Sequence, residues 1–134
     1  MNLTIDMVTN LKKYGFSFEQ FEHECSPGLA YYFNNCEYII GGKCDESPCR
    51  DEDQHISQKG IWLPDEAHLM LWLQWKQNCD VTIKYIAEER YFYGKCITSD
   101  AVEINGNGPD LLCCLYKLVL KICKGEQLRK EHKS

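Results

Sequence analysis

Ile5, Val8 and Leu11 recur at helical spacing behind Thr4, and Gly15 stands where the run stops, so the pattern predicts a short helix over residues 4–14. Ser17 followed by Gln20 makes a capping-box pattern. With Phe18 and Phe21 as a buried side, it predicts a second short helix that Pro27-Gly28 ends. Tyr38-Ile39-Ile40, closed by Gly41-Gly42, reads as a strand, and the polar stretch 43–60, with Pro48 and many charges, reads as loop.

The second half has a sharper pattern. Pro64 and Asp65 open a helix that runs to about Gln77. Leu69, Trp72, Leu73 and Lys76 share one side, while Met70, Leu71 and Trp75 spread the apolar surface over more than half of the cylinder. Val81, Ile83, Tyr85 and Ala87 alternate with Thr82, Lys84 and Ile86, as a strand does, and Glu88-Glu89-Arg90 turns the chain. Tyr91, Tyr93, Lys95 and Ile97 share one face of the next strand, and Ala101–Ile104 is a short third one. Asn105-Gly106-Asn107-Gly108-Pro109 reads as a loop with Pro109 as the first residue of a last helix, which runs to about Lys124 with Gly125 as its stop. Leu111, Leu115, Leu118 and Ile122 form its apolar stripe.

These elements predict an α+β fold. A small antiparallel sheet of three to four strands carries two helices on one face, in the order α–β–β–β–α, preceded by short N-terminal helices and an irregular loop region. The chain reads as one domain of 134 residues, with an irregular part over 1–60, a compact part over 61–125 and a basic tail over 126–134. Two apolar helices on one small sheet leave apolar surface that the first half or a partner chain must cover.

An apolar fraction of 44% supports a real core, and no apolar run reaches the roughly 18 residues of a membrane span. The first residues lack the basic start, apolar stretch and small-residue cleavage site of a secretory signal. Nine cysteines without such a signal, an odd number at uneven spacing, read as reduced thiols of a cytoplasm rather than a disulfide framework. Net charge is −5, and acidic residues outnumber basic ones eleven to three between Glu19 and Glu66. That balance argues against general nucleic-acid binding, which rests on Lys and Arg. The basic residues after Tyr116 suit a helix C-terminus, where cations complement the dipole.

Candidate chemistry is sparse. Cys25, Cys36, Cys44 and Cys49, with His23 and His55 at the edges, are the one candidate zinc set. No C-x-x-C pair occurs among them: seven residues separate Cys36 from Cys44 and four separate Cys44 from Cys49. The reading is therefore scattered free thiols and no cofactor. His23, His55, His68 and His132 fall in no protease or redox motif, and Cys113-Cys114 lie within a helix pattern, so no catalytic residue is assigned. Asn105–Pro109 lacks the Lys and Ser/Thr that a phosphate-binding loop needs, and Asp110 would repel a phosphate. Asp51-Glu52-Asp53 and Glu88-Glu89 read as solvated charge. Seven aromatics crowd into residues 62–93, more than the core of so small a sheet uses. Trp72, Trp75, Tyr91 and Tyr93 are the candidate partner-binding residues, for a protein partner or a second copy of the chain.

The α–β–β–β–α order over about 65–124 resembles a double-stranded-RNA-binding domain. That resemblance would require a Lys-rich start to the last helix, where this chain has Gly108-Pro109-Asp110-Leu111-Leu112-Cys113, so the RNA grip is absent. The stretch IWLPDEAHLMLWLQWK, then a hairpin and GNGPDLLCCLYKLVLKI, is similar to small phage and prophage proteins with an α/β/α sandwich, over roughly Ile61–Ile122. What the resemblance implies is a bacterial host cytoplasm and no assigned activity. The resulting expectation is a non-enzymatic phage or prophage accessory protein that binds a host or phage protein, its acidic first half suited to a basic site such as that of a nuclease or defence component. The competing reading is a zinc-stabilised domain that contacts nucleic acid.

Overall fold

A computed structural model of the chain describes residues 1–41 and 51–132. Thr4 caps the first helix, α1 (Ile5–Lys13), by accepting from the Met7 N–H, and Val8 and Leu11 are its buried side, as the spacing predicts. The second expected helix is instead a turn. Glu22, rather than Gln20, reaches back to accept from the Phe18 N–H at 3.2 Å, and Pro27-Gly28 leads directly into a hairpin.

The hairpin pairs β1 (Ala30–Phe33) with β2 (Cys36–Ile39). Asn34 and Asn35 both have positive φ, 50° and 63°, so they make the two-residue turn whose twist matches a hairpin. The stretch expected as loop over 43–60 contains α2 (Asp51–Lys59), and residues 42–50 lie outside the described residues. Glu52 and Asp53 lie in the first turn of α2, where carboxylates complement the helix dipole. Gly60 ends it. A β-carbon there would stand 2.6 Å from the Ile56 carbonyl oxygen. The chain then enters β3 (Ile61–Leu63), which adds to the other side of β1.

The second half follows the expected order. Asp65 caps α3 (Glu66–Leu71), which continues into a π-helical turn over Trp72–Lys76. A second antiparallel sheet follows in the order β4 (Asp80–Ile86), β5 (Tyr91–Ile97), β6 (Glu103–Gly108). Two readings are corrected here. Asn105–Gly108 is not a loop but the body of β6, paired along its length with Phe92–Lys95. The last helix, α4 (Leu111–His132), starts after Asp110, whose carboxylate accepts from the Cys113 N–H at 2.7 Å, and it runs through Gly125 without stopping.

Glycine allows the first departure. Gly94 and Gly106 face each other across β5 and β6, and Gly108 lies on the same face. A β-carbon on Gly94 would meet Cys114 Sγ at 2.8 Å, and one on Gly108 would meet Cys113 Cβ at 2.8 Å. The missing side chains let α4 lie directly on the strands.

One cluster of buried residues spans both halves, from Leu3, Val8 and Leu11 through Tyr31 and Trp62 to Leu115, Leu118 and Ile122. The surface left over by the helices of the second half is thus largely covered by the first half. Trp72 shows how: its ring packs on Phe16 at 5.2 Å, and its Nε1 donates to the Ser17 carbonyl at 3.0 Å.

Candidate functional site

The four aromatic candidates fall in three places. Trp72 is only 2% exposed and belongs to the core, which removes it from any contact surface. Trp75, three residues on, is 62% exposed. It stands on the π-helical turn beside Phe18, Glu19 and Gln20, at a shallow depression of about 190 Å³. Lys76 fixes this corner by donating to the Ser17 carbonyl at 2.6 Å and the Ser17 hydroxyl at 2.9 Å. Asn78, with φ of 55°, closes the turn, and the Cys79 N–H donates to the Leu73 carbonyl at 2.9 Å. The support under Trp75 is therefore held at both ends.

Tyr91 and Tyr93 lie half-buried on the face of β5 opposite Gly94 and Cys96, the face turned away from α4. Tyr93 donates to Asn105 Oδ1 at 2.7 Å, and register places Lys84 and Asn107 on either side of it. Trp75 and this tyrosine pair are separate surfaces, not the single patch that their closeness in sequence suggests.

The thiols split the same way. Cys96 and Cys123 are buried and desolvation pushes both up to about 12, while burial also raises Cys79 and Cys114. These thiols stay protonated at neutral pH and pack as small apolar groups. Of the candidate zinc set, Cys25 is half-buried and Cys36 exposed on β2, and Cys44 and Cys49 lie outside the described residues. Among the described residues no three His, Cys, Asp or Glu side chains come together as a metal cluster.

The histidines at the edges of that set have structural partners: His23 Nδ1 lies 3.2 Å from the Ser57 carbonyl, and His55 packs edge-on against Phe33 at 5.3 Å. His68 is the third residue of α3, wedged between Phe21 and Trp62. Its Nδ1 lies 3.2 Å from the Asp65 N–H and 2.9 Å from Asp65 Oδ1, and it cannot serve both. Desolvation lowers its pKa and outweighs the Asp65 charge, which raises it. The net shift favours the neutral ring, and in the capping box its Nδ1 accepts from the Asp65 N–H.

Sequence reasoning misses one grouping. Lys117 and Lys121 of α4 stand over the edge of β6, next to Asn105 and Asn107, and Lys121 donates to the Asn105 carbonyl. The signal was the glycine run itself, which brings α4 close enough for its lysines to reach the strand. No described helix is long and apolar enough to cross a membrane. Compared with protein-family models, curated proteins and solved structures, the chain finds no match in any of the three.

Proposed function

We propose that this chain is a non-enzymatic accessory protein, of the phage or prophage kind that its layout resembles, and that it acts by binding another protein with Trp75 at the centre of the contact. The observation that carries the reading is Trp75 itself: a large aromatic side chain, 62% exposed, on a corner fixed by Lys76 and Ser17. Tryptophan is among the residues that contribute most per side chain at protein interfaces, above all where a rigid support spares the cost of ordering. The protonated buried thiols and the structural use of His23, His55 and His68 support a binding role over catalysis.

The test places a photo-crosslinking phenylalanine derivative at position 75, and in a second sample at the exposed Lys12 of α1. Light in bacterial cells producing the protein should give one dominant adduct from position 75 and none from position 12. An adduct of twice the chain mass would assign the surface to self-association. Identical adduct patterns from both positions, or none from position 75, would refute the reading.

A further inference from the structure

A groove runs along the open edge of the second sheet, beyond the Trp75 surface and independent of it. Two depressions make it up, and they share Asn107 and Lys117. Tyr93, Asn105 and Lys121 line one, and Arg90, Tyr91 and Gly108 line the other, whose volume is about 530 Å³. We infer that this groove binds single-stranded nucleic acid, with phosphates along Lys117, Lys121 and Arg90 and bases on Tyr91 and Tyr93.

Charge is the first ground. Lys84, Arg90, Lys117 and Lys121 have no ion-pair partner among the described residues, while Lys95 on the same sheet face pairs with Glu103 at 3.8 Å. Glu89 at one end is the carboxylate that borders the groove. The cationic strip is therefore a local property of an otherwise acidic chain. Geometry is the second. Tyr91 and Tyr93 sit two residues apart on one face, so they repeat at about 7 Å along the strand, with the amide side chains of Asn105 and Asn107 alongside. Aromatic rings beside a cationic track are the general means of holding single strands, because every base has a face to stack. Backbone donors are the third. The Asn105 carbonyl points out of the sheet toward Lys121, and strand geometry turns the N–H groups of Asn105 and Asn107 the same way, toward a bound phosphate.

The main competitor for such an edge is an acidic peptide that adds as a further strand. Lys121 already holds the Asn105 carbonyl that this strand would need, and a lysine over an edge is a standard obstacle to strand addition.

Fluorescence anisotropy with the full chain tests the inference, using a short labelled single-stranded oligonucleotide of mixed sequence, its duplex, and a labelled oligo-glutamate peptide as probes. At low salt the single strand should bind more tightly than the duplex or the peptide. Its affinity should fall with salt, and Lys117→Ala should reduce the log–log salt slope by about 0.7. Lys117→Glu with Lys121→Glu should weaken binding more than tenfold, and Tyr91→Leu with Tyr93→Leu, which keeps apolar bulk, should weaken it about tenfold. Circular dichroism of each variant identifies any loss of fold. No binding of the single strand, or binding that both double variants leave unchanged, overturns the proposal. Peptide binding as tight as the oligonucleotide's, with the leucine variants unaffected, overturns it in favour of an acidic protein segment. None of these outcomes bears on crosslinking from position 75.

Discussion

At the scale of single residues, burial sets the chemistry. His68 is a small pH sensor for the stability of α3. Its folded pKa lies below the ordinary 6.5, so on acidification the unfolded chain takes up a proton that the native state resists. Below about pH 6.5 the unfolded state then binds more protons, and stability falls as pH drops through that window. Melting temperature should therefore decrease from pH 7.5 to 5.5. His68→Gln, which keeps a capping-box acceptor at the third helical position, should flatten the decrease. An unchanged slope in that variant would show that other groups set it. The thiols give a second test. Cys36 is exposed, whereas Cys96 and Cys123 are held near 12 by burial. A thiol reagent at pH 8 should label Cys36 rapidly in the native protein and reach Cys96, Cys114 and Cys123 only on denaturation. The sequence could suggest reduced core thiols from their apolar neighbours, but not which ones stay outside.

At the scale of elements, glycine carries opposite meanings that only packing separates. Gly108→Ala drives a β-carbon to 2.8 Å from Cys113 Cβ and 3.0 Å from the Cys114 backbone nitrogen, so one element must shift. The expected loss is about 1–3 kcal/mol, the usual cost of overpacking. Gly94→Ala meets side-chain atoms of Cys114 and Leu118 at 2.8 and 2.9 Å and should cost toward the lower end. Gly125→Ala has open space and sits inside α4, so it should raise stability by about 0.5–1 kcal/mol. Urea denaturation of the three variants checks the order, and a stabilising Gly108→Ala would mean that α4 does not lie where described. Helix α1, the α–β–β–β–α order and the turn after Ile86 were legible because period and punctuation agree there. Asn105–Gly108 was not, since glycine and asparagine signal a turn unless a helix lies against the strand. The β1–β2 hairpin hid behind Asn34-Asn35, a weaker turn signal than Asn-Gly, and α2 behind a polar composition with little apolar period.

At the scale of the whole molecule, the unresolved question in the sequence was what covers the apolar helices. The answer is distributed. Phe16 lies on Trp72, Ser17 accepts from its indole, and Asn10 donates to the Tyr116 hydroxyl at 2.9 Å across the interface of α1 and α4. None of these pairs is visible in local periodicity, because each joins positions more than fifty residues apart. The same covering makes Trp75 informative, since it stays outside after the first half has taken the rest. If the two sheets share one core, a cut in the first half must be felt in the second. Phe16→Ala removes a ring that is 4% exposed and should cost about 3–5 kcal/mol. Amide exchange should then quicken in β4, β5 and β6 by the same free energy as in β1 and β3. Faster exchange confined to the first sheet would instead show two units that open separately, and the exposed Trp75 would then mark the seam between them.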